Sequence, residues 1–320
     1  MKAIYKILAV LMALCFAATG FAASVTYNNE HGVLKLDRKN IDMLPDNFRT
    51  SDYAFEKDLL GGKEPSRTGM EDLRISGSKA FSELEYAEIL KHIPAAPELI
   101  YDVDLRGESH GYINGSAVSW YKPNDWGNKG RAHGEIVTSE QQMLDEIAAV
   151  PFVNIGILGA NKEIVPDKCY TWPVESAVTE KAMTAMHDTK YLRLTLTDHL
   201  TPHHLEVDRF VRFYKTLPEG AWLHFHCFAG KGRTTTFMVM YDMLKNADKV
   251  SFDDIVMRQF AIGGINLTAY NPNKPVWRQK AVTERIEFLK DFYQYVKANP
   301  KLQKSWTQWA TENKMPLAVE

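Results

Sequence analysis

The sequence predicts an α/β fold, a sheet with helices on both faces. Three observations predict it. Short apolar runs such as "ELIYDVDL", "YLRLTLT" and "AWLHFH" alternate with stretches of helical period. The last strand feeds a helix that is apolar on most sides through a glycine-rich loop. Chemically capable residues, Arg106, Asp198 and Cys227, each follow a predicted strand. Ligands of such sheets sit at the carboxyl ends of the strands.

Element by element, residues 23–75 are polar and carry turn signals at "LPDN", "GGKEPSRTG" and "ISGS", which predicts irregular wrapping with short strands. Ser82 with Glu85 is a capping-box pattern and predicts a helix over 83–92. "ELIYDVDL" is a strand delivering Asp104 and Arg106 to its end, and the following "GESHGYINGSAVSWYKPNDWGNKG" reads as turn-rich. Ser139 with Gln142 predicts a helix opening there and running to about Val150. "FVNIGIL" is a strand, and residues 151–176 form a small β excursion. A helix over 176–187 precedes "YLRLTLT". Thr201 as cap, with Pro202 at the first position, predicts the next helix, whose Phe210, Phe213, Tyr214 and Leu217 share one face. After "AWLHFH" come the buried helix in "RTTTFMVMYDMLKN", a helix capped by Ser251 and ended by Gly263–Gly264, a long helix over 276–298 and a short one over 305–313.

At 45% hydrophobic and 24% charged residues, 320 residues suffice for one large globular domain. Residues 1–22, "MKAIYKILAVLMALCFAATGFA", have the basic start, apolar middle and small-residue end of a secretory signal peptide, too short in its apolar run to cross a bilayer. This predicts an exported protein, periplasmic or secreted. Without Lys2 and Lys6 there remain 36 basic against 40 acidic side chains, a net charge of −4. That balance argues against nucleic-acid or membrane partners and requires any anionic ligand to be met by locally clustered positive charge. Oligomeric state is not encoded in these features.

The chemistry concentrates in "HFHCFAGKGRTTTF". Between a strand end and a helix start, a short loop turns its amide groups inward as an anion nest, and the helix dipole adds to it. Gly230 and Gly232 permit the curl. A thiol at its mouth is expected to ionise and act as a nucleophile, which assigns that role to Cys227. Arg233 supplies a planar fork for two phosphate oxygens, and Thr234 a hydroxyl for the sulfur. His226, Phe228, Ala229, Gly230, Lys231 and Gly232 complete the loop, which suits a tetrahedral dianion attacked at phosphorus. A nucleotide-binding loop would need Gly-x4-Gly-Lys-Ser/Thr, and the spacing is wrong. A zinc site from His224, His226 and Cys227 has no second ligand cluster. A disulfide between Cys227 and Cys169 suits an exported protein but leaves the basic glycine loop without purpose.

His-Cys-x5-Arg-Thr resembles the signature of the protein tyrosine phosphatases. Together with "YDVDLRGESHGYINGSAVSWY", "LTDHLTP" and "RQFAIGG", it is similar to the bacterial cysteine phytases, the tyrosine-phosphatase-like inositol polyphosphatases, over roughly residues 45–309. The resemblance implies a tyrosine-phosphatase-like catalytic domain over 23–320, no metal or other cofactor, and inositol phosphates as small polyanionic substrates. It implies that Asp198, in Thr197-Asp198-His199, is general acid and then base, with His199 touching substrate phosphate. Lys280, in a W-x-x-K setting, matches a substrate-binding lysine and is preferred over Arg278. Arg106 and Lys231 are further candidates for substrate phosphates, and Arg49 and Asp125 for the rim. Tryptophans 120, 126, 277, 306 and 309 read as packing. Acid chemistry at Asp198 beside an ionised thiol implies an optimum below neutrality. Two other readings stay open: a phosphatase for phosphotyrosine proteins or phosphoinositide lipids, and an inactive inositol-phosphate-binding module.

Overall fold

The computed structural model describes residues 24–25, 28–269 and 271–318; segment 1–22, where the sequence predicts a signal peptide, lies outside them. From the amino end, β1 (Ser24–Val25), β2 (Asn28–Asn29), β3 (Gly32–Arg38) and β4 (Arg49–Thr50) lead to β5 (Ile75–Lys79) and α1 (Glu83–Lys91). Then come β6 (Ile100–Asp104), β7 (His110–Ile113), β8 (Ser116–Tyr121), α2 (His133–Ala148), β9 (Phe152–Leu158) and β10 (Ile164–Pro173). β11 (Ala177–Val178), α3 (Glu180–Ala185), β12 (Lys190–Arg193), α4 (His204–Tyr214) and β13 (Trp222–Cys227) follow. Four helices close the chain: α5 (Gly232–Asn246), α6 (Phe252–Ala261), α7 (Val276–Ala298) and α8 (Trp306–Glu312).

The central sheet has the order β12-β6-β13-β5-β4; all its pairings are parallel except that of the edge strand β4. Every residue of β13 is buried, as a central parallel strand requires. Its alternation decides the site. Leu223, Phe225 and Cys227 pack into a core shared with α4 to α8, which includes Phe210, Phe237 and Phe292. Trp222 packs on the other face with Tyr86 and Ile89 of α1 and Met183 of α3. Cys227 therefore faces the side on which α5 departs. Each fully buried aromatic or aliphatic side chain here contributes on the order of 2 kcal/mol by leaving water.

A second, antiparallel sheet, β11-β7-β8-β3-β2, and a small one, β1-β9-β10, share a core around Leu34, Trp120, Leu144 and Val153 with α2. The turn-rich reading of residues 107–130 missed the hairpin β7–β8. Its marker is Asn114-Gly115 between apolar residues: both have positive φ, 50° and 73°, which the tight two-residue hairpin turn demands.

Ser82 and Ser251 cap helices as the sequence predicts, whereas Ser139 and Thr201 do not. Ser82 and Glu85 close a reciprocal capping box on α1, Ser251 caps α6, and Ser305 caps α8. Three boundaries differ. α2 opens at His133 rather than near Ser139, because Glu135 reaches back to the Ala132 amide while Ser139 donates to the Ile136 carbonyl inside the helix. α4 opens at His204, because the His203 ring, not Thr201, accepts from the Leu205 amide. α3 is shorter than 176–187, because Ala177–Val178 pair with β7 and Thr179 becomes the cap.

Candidate active site

Cys227 ends β13 and is 2% exposed, its Sγ accepting a hydrogen bond of 3.2 Å from Thr234 Oγ1 in the first turn of α5. The loop between them is held from outside. The carbonyls of Phe228, Ala229 and Gly230 accept from the Ala80 amide (3.2 Å), Asn47 Nδ2 (2.9 Å) and Arg49 (2.9 Å). In a trans peptide the N–H opposes the C=O, so three outward carbonyls turn the next amides inward toward the sulfur. Gly230 has φ 68°, and a Cβ there would lie 2.3 Å from the Lys79 nitrogen, so only glycine closes the curl. The 15-residue α5 begins at Gly232 and directs its positive end at the same point.

Arg233 is 4% exposed and doubly bound by Glu108, at 2.7 and 3.2 Å. Its Nε lies 3.1 Å from Asp198 Oδ1. Burial opposes its charge, but Asp198 and then Glu108 outweigh that and hold the guanidinium firmly protonated. Glu108 is the mirror case: burial would raise its carboxyl, yet Arg233 and Arg106 hold it well below the usual carboxylate range. Asp198 is tied by its backbone, the carbonyl accepting from Trp126 Nε1 at 2.9 Å. His199, at φ 70°, places Nε2 3.2 Å from Asp198 Oδ2 and accepts from Arg278 at 2.8 Å. Burial lowers the His199 pKa, in line with a neutral ring accepting from a guanidinium.

These groups line a cavity of about 450 Å³. Five cationic side chains border it, Lys231, Arg233, Lys274, Arg278 and Arg285, against the single carboxylate of Asp198. The local charge is thus strongly positive in a chain that is acidic overall, which selects a ligand with more than one negative group. Beside the mouth, the Phe228 ring gathers Lys35 (4.5 Å), Lys162 (5.4 Å) and the Arg106 guanidinium (5.6 Å).

Cys227, Arg233, Thr234, Asp198, His199, Arg278 and the loop residues Phe228, Ala229, Gly230, Lys231 and Gly232 come together here. Other candidates lie elsewhere. Lys280 points to solvent, its side chain 74% exposed and paired with Glu284 at 3.5 Å, because two residues along a helix is a 200° turn and Arg278 takes the inward face. Arg106 is buried beneath the site, neutralised by Asp37 (2.8 Å) and Glu108 (2.9 Å). Arg49 is not a rim residue: it is 1% exposed, braces the loop from behind, and burial lowers its pKa to about 10. Asp125 is also buried, and burial and Glu108 raise its pKa to about 6. His226 faces away from the loop, its Nε2 2.6 Å from Glu180 Oε1 and 3.6 Å from Asp102 Oδ1. His224 lies on the same face between Ser76 and Ser78, so the two histidines share no ligand position with the sulfur. Cys169 and Cys227 are both free thiols.

Sequence reasoning missed Glu108, Lys274 and Arg285. Arg285 has a signal in retrospect: it lies seven residues after Arg278, two turns along one face of α7. It is nearly fully buried and donates to the His199 carbonyl at 2.6 Å.

Residues 103–245 match the PTP-like phytase (inositol hexakisphosphate) family model. The chain is 42% identical to the PTP-like myo-inositol phosphatase of Mitsuokella multacida, solved in complex with myo-inositol-(1,3,4,5)-tetrakisphosphate, with a TM-score of 0.85 over 93% of this chain and 50% of that one. It is 35% identical to a PTP-like phytase of Bdellovibrio bacteriovorus, with a TM-score of 0.68 over 87% of this chain and 94% of that one. Among curated proteins, the effector protein hopD2 of Pseudomonas syringae pv. tomato is 29% identical over 75% of this chain and 52% of its own length. The chain thus spans about half the length of hopD2 and of the Mitsuokella protein, and nearly all of the Bdellovibrio one. It shares its fold with the Mitsuokella and Bdellovibrio proteins, and the chain belongs to the PTP-like phytases.

Proposed function

We propose that this chain is a phosphomonoesterase that removes phosphates stepwise from myo-inositol hexakisphosphate and lower inositol phosphates through a phosphocysteine intermediate. The observation that carries the reading is the cavity in which five cations and one carboxylate surround a nucleophile seated in an amide-lined loop. Complexation of the Mitsuokella relative with an inositol tetrakisphosphate supports the substrate class. Cys227 Sγ attacks phosphorus; the S–P bond forms as the P–O bond to the inositol carbon skeleton breaks. Asp198, 3.1 Å from Arg233 and at the cavity wall, gives its proton to the leaving oxygen. The resulting carboxylate then takes a proton from water, which attacks phosphorus and releases the thiolate. The loop amides and the Arg233 fork hold the non-bridging oxygens where charge builds. Thr234 donates to the sulfur as it leaves. The leader-like segment 1–22 supports export, which amino-terminal sequencing of the mature chain from the culture would establish.

Phosphate release from inositol hexakisphosphate, in the presence of chelator, is the test. Wild type is expected to turn over and to be trapped as a phosphoenzyme in acid quench. Cys227→Ser is expected to lose both, with turnover down at least ~10³-fold. Full turnover by Cys227→Ser, or a hundredfold preference for a phosphotyrosyl peptide over inositol hexakisphosphate, would overturn the assignment.

A further inference from the structure

A second cavity, of about 650 Å³, lies behind the segment that carries Asp198. Thr197, Leu200, Thr201, Pro202 and His203 form one wall of it, while Asp198 and His199, in the middle of the same segment, line the catalytic cavity. One strand of chain therefore separates the two. The same holds for α7. Arg278, Val282 and Arg285 face the catalytic cavity; Glu284, Glu287, Phe288 and Asp291 face the second. Each set follows the three-to-four spacing of a helical face. The far side is closed by Trp306 of α8 and by Pro316, Leu317 and Ala318. That terminal stretch is fastened to α4, since both the amide and Nδ1 of His204 meet the Ala318 carbonyl, at 3.3 and 2.9 Å.

The lining has two chemistries. Leu200, Pro202, Phe288, Trp306 and Leu317 give an apolar surface suited to a ring or short alkyl chain. Glu284 and Glu287, both exposed, and the half-buried Asp291 bring three carboxylates of α7 to the cavity, and Lys129 brings one cation. Glu284 is occupied by Lys280, but Glu287 and Asp291 form no ion pair among the described residues. The two stand one turn apart, and burial together with Glu287 pushes the Asp291 carboxyl upward. A cation between them would relieve that repulsion; a second anion would not enter.

We propose that this cavity is a binding site for a small amphipathic monocation, an aromatic or alkyl ammonium compound, and that its occupancy alters turnover by acting on the Asp198 segment from behind. The ligand does not compete with substrate, because it never enters the Cys227 cavity. Coupling is reciprocal: whatever factor the amine imposes on substrate binding, substrate imposes on the amine.

The probe is 4-phenylbutylammonium, with 4-phenylbutanol as its uncharged counterpart. Binding is read by Trp fluorescence and by calorimetry on the full chain, with and without orthovanadate in the catalytic cavity. The expected result is saturable binding that persists with vanadate bound, is at least tenfold weaker for the alcohol, and is at least tenfold weaker in the Glu287→Gln/Asp291→Asn variant. That variant touches no catalytic group and is expected to keep basal turnover. At saturation the amine is expected to change kcat at least twofold. Absence of binding at millimolar amine, equal binding of amine and alcohol, displacement by vanadate, undiminished binding in the double variant, or binding without any change in kcat would each overturn the proposal. The fluorescence and calorimetry readings need no substrate, so failure of the inositol phosphate assignment would leave them standing.

Discussion

Asp125 offers a prediction in which activity and stability are expected to separate. It is 9% exposed, at φ 59°, and burial and Glu108 raise its pKa from 3.8 to about 6. The sign follows directly. Between these values the native state holds a proton that the unfolded chain has lost, so stability present below about pH 4 is lost as pH rises through about 6. Above that, wild type carries a buried charge costing roughly 3 kcal/mol, at about 1.4 kcal/mol per decade. Asp125→Asn keeps the shape, removes the charge, and places at a left-handed position one of the residues that tolerates it best. It is expected to be more stable than wild type by on the order of 2 to 3 kcal/mol at pH 7.5, and equal to it at pH 4. Urea denaturation at pH 4, 5.5 and 7.5 measures this through the midpoint at constant slope. The Asp125 charge also faces Arg233 and Asp198, so the gain in stability is expected to bring a change in the basic-side limb of the kcat/KM profile. Equal or lower stability of the variant at pH 7.5 would refute the reasoning, since the carboxylate would then be compensated in the native state.

Glu108→Gln removes one charge of the pair that aims Arg233; breaking so buried a pair is expected to cost about 3 kcal/mol in stability and at least tenfold in kcat/KM, read by thermal melts and initial rates. Gly230→Ala sets a Cβ against the Ser78–Lys79 backbone at φ 68°, and is expected to lose orthovanadate binding by calorimetry while circular dichroism remains that of a folded chain. Arg285→Met frees the His199 carbonyl and removes one of five cavity cations; KM for inositol hexakisphosphate is expected to rise tenfold or more, with a smaller change for a monophosphate ester. Lys280→Ala, which removes only a solvent-facing pair with Glu284, is expected to leave both constants within twofold.

The loop between β13 and α5 was legible because its pattern is local. A strand, a thiol, two glycines, an arginine and a helix lie within twenty-five residues. The central strands and the long helix α7 were legible by periodicity. What escaped was fixed by side-chain competition or by distance. Ser139 looked like a cap, but a serine inside a helix satisfies itself against the preceding carbonyl, and composition does not tell the two apart. The β7–β8 hairpin was masked by the polar residues it buries: Ser109, His110, Ser116 and Ser119 are inside, each held by partners from other segments. The choice between Lys280 and Arg278 turned on the rotation of one helix, which a motif spacing cannot supply.

Three buried arginines show why charge alone is a poor guide to substrate contact. Arg49, Arg106 and Arg233 are all at or below 4% exposure, and all lie within the shell of the same loop. Their partners assign the roles. Arg49 meets two carbonyls and a hydroxyl, so it keeps its charge without a counter-ion and turns the Gly230 carbonyl outward, while burial lowers its pKa to about 10. Arg106 meets two carboxylates and, at 1% exposure, lies outside the cavity lining. Arg233 is held along one edge by Glu108, while its Nε faces Asp198 in the cavity wall. In the proposed mechanism, only there would an incoming phosphoryl group meet a fork already oriented and already ionised. Replacing that fork by lysine would keep the charge and lose the paired geometry, so the carboxylate behind Arg233, which fixes its plane, is as necessary to the clamp as the arginine itself.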